Sequence, residues 1–390
     1  MIRSQLLAAD KELFFTLDEY QSRLRAVRAE MERRGLDALV LTTPENILYL
    51  TGYQTPGYYM YQCLLVTSTQ DPVLLIRNGE VSNARAYSWL GECLGYFDYE
   101  NPADTTAALL AESGLTHRII GLEMRSWFLT ARVYEDLRQR KLDAKWIDAS
   151  GTVETCRLLK SPKEIEYIRR AARAAGAGMR SAIDATRVGA MDNDVAAALS
   201  AAMIAAGSEY LSMGPFVAAG KRSTIFHGIW GRNLIEAGQS MNLEVGAVFN
   251  RYNAGLMRSV CMGKPSVDQE KMGIAAEAAN RCLLESIRPG AMTADLHARV
   301  DEELRRHGFG PRTGLRCGYS IGLAFPPDWG EGHILSIINE PNVSLGAGMV
   351  LHCPLIVKDH RYGAGFSETV LVTATGHEVL TDCERVLFVR

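Results

Sequence analysis

The stretch NLEVGAVFNRYNAGLMRSV, residues 242–260, has the layout of two strands joined by a tight turn, and it carries one acidic side chain, Glu244. Leu243, Val245 and Ala247 around it are apolar, so the strand is a buried one. A carboxylate taken out of water is costly unless a partner or a reaction compensates. An arbitrary glutamate is most often a salt-bridged surface residue; on this strand it reads as a base for a water, or as a nucleophile that forms a transient acyl-enzyme. The second candidate is His227 in the run IFHG. An imidazole that titrates near neutrality can take and return a proton within one cycle, although a lone histidine is more often structural.

The elements that must position these residues can be read from periodicity. Residues 17–35 show helical spacing ending on a glycine, and DALVLTTPENILYLTGY supplies a strand followed by a turn at 44–46. QCLLVTS, PVLLIR, RIIGLE and AKWIDAS read as further strands, which makes the first part of the chain an α/β domain. In RLLKSPKEIEYIRRAAR, Ser161 can cap a helix, Pro162 takes its first position and Glu164 completes a capping box. This marks a domain boundary, with 1–157 before it and 158–390 after it. Beyond it come a long helix to about 185, a second from about 192 to 206, the strand pair, two more helices from 267 and 293, and antiparallel strands near 349–357, 365–373 and 386–389. Helix pairs repeated around a sheet suggest two related halves.

At 390 residues the chain can bury two ordinary cores. A 47% hydrophobic and 22% charged composition is globular, and a formal charge of -3 advertises no nucleic-acid or anionic-membrane partner. No run has the apolar length of a membrane helix or the layout of a signal peptide, so the expected setting is the cytoplasm. The eight cysteines are scattered without a CxxC pair, which argues against a zinc knuckle or a disulfide framework.

RLLKSPKEIEYIRRAA, GPFVAAGKRSTIFHG, NLEVGAVFNRYNAGLMRS, TGLRCGYSIGLAFPPDWGE, GAGMVLHCPL and GFSETVLVT follow one another in the order and spacing of the pita-bread family of aminopeptidase P, prolidase, creatinase and ectoine hydrolase. The resemblance implies an α+β fold, a pita-bread catalytic domain preceded by a smaller creatinase-type α/β domain. Metal-dependent members hold two divalent ions with two aspartates, a histidine and two glutamates. The matching positions here are Glu244, Gly255, Tyr319, the region of Cys353 and Pro354, and Ser367 beside Glu368. One or two carboxylates without an imidazole cannot hold a dinuclear centre, so no metal and no other cofactor is expected. His227 falls where the family keeps its active-site histidine.

Creatinase grips a guanidinium with carboxylates, and the corresponding position here is Met257. LEVGAVFNRY, PPDWGE and the aromatic run TGYQTPGYYMYQC instead look like the ectoine hydrolase branch. A cyclic amidinium carrying a carboxylate needs an aromatic or anionic wall for its cation and an arginine for its acid group. Tyr53, Tyr58, Tyr59, Asp328 and Trp329 are the candidates for the first and Arg258 for the second, with Tyr252, Tyr319 and Glu368 as further contacts. The expected activity is metal-independent hydrolysis of a small cyclic amidine, ectoine foremost, with Glu244 attacking or activating water and His227 donating a proton. The alternatives are a creatinase-like hydrolase of another small C–N substrate and a non-catalytic binding domain. A homodimer is expected, as is common for family members with this N-terminal domain.

Overall fold

The structure is a computed structural model that describes residues 2–6, 11–140, 143–311 and 314–390. The chain divides into two compact units, Met1–Arg157 and Leu158–Arg390.

The N-terminal unit is built on a seven-stranded mixed sheet. Its middle strands, Cys63–Thr67 and Ala38–Leu41, pair antiparallel, and Ile119–Leu122 then pairs parallel with the second of them. Their continuous apolar runs are buried on both faces, as expected for strands covered by helices. Residues 44–46, expected as a turn, instead open a helix, Pro44–Thr51. Proline suits a first helical position because its missing N–H would be unpaired there anyway, and Gly52 at φ 82° ends the helix in the left-handed region.

The described residues of the C-terminal unit form a four-stranded, a five-stranded and a two-stranded sheet packed with helices. Helix Pro162–Ala185 begins with the Ser161 to Glu164 capping box read from the sequence. It packs with Asp192–Ala205 against one face of the hairpin Ser240–Phe249 and Tyr252–Cys261. Helices Val267–Ser286 and Thr293–Arg306 share a second apolar cluster with strands from the end of the chain, including Val350–His352 and Thr369–Val372. Both Cys317 and Cys353 belong to that cluster. Among the described residues no helix is long and apolar enough to cross a membrane.

The hairpin turn sets the register of the site. Asn250 and Arg251 have φ of 49° and 62°, the left-handed pair that matches strand twist in a two-residue hairpin. Arginine is strained there, and its buried guanidinium compensates by donating to the Tyr210 carbonyl, the Ser212 hydroxyl and the Ala324 carbonyl. The Glu209 carboxylate accepts from both turn amides.

Candidate active site

Strand register places Glu244 between Phe216 on one side and Met257 on the other. Because side chains alternate, Asn242, Glu244 and Gly246 share a face with Gly255, Met257 and Ser259. Leu243, Val245, Leu256 and Val260 face the helices instead. Burial pushes the Glu244 carboxyl up to about 8, because its charged form has lost water. Its side chain retains 15% exposure, enough for a small molecule to reach it.

The centre of the site is a residue that the motifs did not single out. The fully buried His352 has its Nε2 4.0 Å from Glu244 Oε1. That nitrogen is 2.8 Å from Ser367 Oγ, and Nδ1 is 2.9 Å from the Tyr319 hydroxyl. A Cβ on Gly255 would stand 2.8 Å from the same Nε2. Glu244, Gly255, Tyr319 and Ser367, four of the positions aligned with metal ligands, therefore converge on one imidazole ring. Cys353 turns the other way into the core, and it is the neighbouring His352 that enters. The available signal was a histidine in the apolar run MVLHC, next to a glycine where a larger side chain would be expected.

Burial, with a smaller contribution from the charge of Arg316, pushes His352 down to about 3. The ring is thus neutral around pH 7. Trp329 Nε1 donates to the Tyr319 hydroxyl over 3.0 Å. If that hydroxyl in turn donates to Nδ1, the imidazole proton lies on Nε2, towards Ser367. These groups do not fit a dinuclear metal centre: the carboxylate count is one, the imidazole nitrogens are both engaged, and the ring fills the space beside Gly255. Among the described residues no cluster of three or more histidine, cysteine or acidic side chains could hold a metal ion.

Aromatic rings wall the carboxyl. Trp329 lies over Gly246 so closely that a Cβ there would be 2.3 Å from the indole, which requires glycine. Its ring meets Phe216 edge-on at 5.6 Å and His352 edge-on at 6.1 Å. The loop carrying it is clasped by a buried ion pair, Lys160 Nζ to Glu331 Oε2 at 2.6 Å, with Ser320 bonded to the same carboxylate. Asp328 accepts from the Gly330 amide and shapes the turn on which Trp329 sits. His227 is exposed, with φ of 58°, and stacks on Phe216 at 5.3 Å, so one aromatic ring separates it from the strand position of Glu244.

Three expected contacts are corrected by strand parity. Arg258 and Tyr252 lie on the face of the hairpin opposite to Glu244. The Arg258 guanidinium is fully buried and donates to the carbonyls of Met257, Ser367, Cys383 and Glu384 and to Glu368 Oε1, so it is committed to the fold. Glu368, 2% exposed, is taken by Arg258, Thr381 and Arg385. The Tyr252 hydroxyl donates to Glu164 over 2.8 Å. In the N-terminal unit Tyr53 is 1% exposed, a core side chain rather than a wall. Tyr58 meets Phe128 edge-on at 5.3 Å, and Tyr59 is 78% exposed.

A two-unit chain whose catalytic unit gathers these positions at the hairpin face is a pita-bread hydrolase with a creatinase-type N-terminal domain. The chain belongs to metallopeptidase family M24, which it matches over residues 166–374, and it matches the creatinase/prolidase N-terminal domain over residues 23–159. It is 32% identical to the ectoine hydrolase of Halomonas elongata over 395 residues, spanning 96% of this chain and 98% of that protein. A prolidase from Thermococcus sibiricus superimposes with a TM-score of 0.85 at 19% identity, over 95% of this chain and 99% of that one. The N-terminal domain of a FACT complex subunit from chickpea gives a TM-score of 0.78 at 16% identity, over 95% and 98%. At these identities the two structures show the fold alone.

Proposed function

We propose that this chain is a metal-independent hydrolase that opens a small cyclic amidine, with ectoine its best-fitting substrate. The observation that carries the reading is the neutral His352 ring, seated where metal-ligand positions converge and 4.0 Å from the single carboxyl of Glu244. The relationship to the Halomonas elongata ectoine hydrolase supports the substrate class. An incoming amidinium brings positive charge to Glu244 and favours its ionised form, offsetting the effect of burial. The carboxylate then attacks the carbon between the two ring nitrogens, or takes a proton from a water that does so. His227 gives a proton to the ring nitrogen as its C–N bond breaks, and water restores the carboxylate if an acyl-enzyme has formed. The product is an N-acetylated diamino acid. Two chains are proposed to associate as a homodimer, which sedimentation would test.

Glu244→Gln and His227→Ala should each lower turnover by roughly 100-fold or more, while chelator-treated parent keeps its activity. A parent that loses its activity in chelator and regains it with a divalent ion sinks the metal-independent route. A guanidino-acid substrate is less well matched, because the residue facing Glu244 across the hairpin is the thioether of Met257. A purely binding role predicts no turnover in a screen of cyclic amidines, guanidino acids and Xaa-Pro peptides.

A further inference from the structure

His227 sits on an irregular loop and Glu244 on a paired hairpin strand. Misplacing a reacting group by about 1 Å can cost on the order of 100-fold in rate, so the loop has to be held. The backbone of His227 is in the left-handed region, which a non-glycine residue keeps only where its surroundings impose it. The chain leaves strand Phe216–Ala219, passes through a short 3₁₀ helix, Gly220–Thr224, and doubles back. His227 thereby stacks on Phe216, the register partner of Glu244.

Both ends of this excursion are pinned. At residues 231–233 the fully buried Asp192 carboxylate accepts from the Gly231 amide at 3.0 Å, the Asn233 amide at 2.9 Å and the Asn233 side chain at 2.6 Å. The other end is held by Asn242, two residues before Glu244 and on the same face of its strand. Asn242 Nδ2 donates to the Ser223 carbonyl over 2.6 Å. A carbonyl only accepts, so the amide nitrogen must face it and Oδ1 must face Ser259, whose hydroxyl donates to it. Ser259 lies directly across the hairpin and is fixed in turn by the Gly365 amide at 2.7 Å. Asn242, Ser223 and Ser259 are all buried, which keeps water from competing for these bonds. A Cβ on Gly363 would stand 2.3 Å from the Ser223 carbonyl oxygen, so glycine there leaves room for the clasp.

We propose that Asn242 is a positioning residue for the reaction: it ties the His227 loop to the strand that carries Glu244, so that proton donor and carboxyl keep one spacing. This rests on the reading of His227 as the proton donor. The tie acts at Ser223, four residues before the imidazole. Its loss leaves Glu244 in the hairpin ladder and lets the histidine drift.

The test is a double-mutant cycle on kcat for ectoine with the full chain. Asn242→Ala should lower kcat about tenfold or more, with a smaller change in KM. In a His227→Ala background the same substitution should change kcat by less than about twofold, because the group it positions is gone. Ser259→Ala lets the Asn242 amide turn and should show the same pattern at about threefold, the scale of one neutral hydrogen bond. It decides the question if Asn242→Ala does not fold. An unchanged kcat, or an equal loss in both backgrounds, overturns the assignment and leaves the functional reading standing. A His227→Ala variant as active as the parent, or a parent that does not open ectoine, overturns that reading and this assignment with it.

Discussion

Glu244 and His352 stand with Oε1 and Nε2 4.0 Å apart, and burial moves their titrations in opposite directions. The carboxyl goes up to about 8 and the imidazole down to about 3. Desolvation penalises the charged form of each, so between those values the free enzyme holds two neutral groups rather than an ion pair. The carboxyl and the imidazole therefore sit in a buried, aromatic-walled setting.

The pH dependence follows from the carboxyl. A reaction that needs ionised Glu244 has kcat/KM rising with pH and levelling off above about 8. A profile flat between about pH 6 and 9 would count against Glu244 as base or nucleophile.

Stability should move the other way. Glu244 binds its proton more tightly folded than unfolded, so its contribution is complete below the unfolded carboxylate value, about 4.3, and declines as pH rises to about 8. Glu244→Gln removes that decline, on the order of a few kcal/mol at alkaline pH. Urea unfolding of both proteins at acid and alkaline pH measures it, and parallel losses in the two would refute it.

Gly255 is required by the His352 ring. Gly255→Ala should destabilise by roughly 1–3 kcal/mol through overpacking. The penalty should shrink markedly in a His352→Ala background, giving a coupling energy in a double-mutant cycle. Additive effects would mean that the two residues do not share this space.

The clasp under the Trp329 loop is a buried ion pair, so removing one partner strands the other charge. Lys160→Met should cost roughly 3–5 kcal/mol, and Lys160→Met with Glu331→Leu should regain much of that. Denaturant titration of the single and double variants decides it, and equal stability of the two would contradict the account.

Arg258 belongs to the stability of the fold. Arg258→Gln should lower the unfolding free energy by roughly 3–5 kcal/mol, because Glu368 is left buried without its main partner. A rise in the KM for ectoine without a stability loss would return Arg258 to substrate binding.

Much of this protein was legible in its sequence. The capping box at Ser161 and Glu164 is local, so it announced the boundary and the first long helix of the catalytic unit. The apolar strand around Glu244 announced a buried carboxyl. Local pattern failed where the answer depended on which way a side chain turns within a sheet. Arg258 sits in a motif but on the wrong face, because one step along a strand reverses direction. His352 was passed over for its neighbour Cys353 for the same reason: chain spacing locates a strand, whereas its pairing decides which residue of each couple enters the site. Tyr319, His352 and Ser367 come from different segments and meet Glu244 only through tertiary packing. That packing, by removing water from each of them, decided what the residue types alone left open: a carboxyl that holds its proton and an imidazole that refuses one.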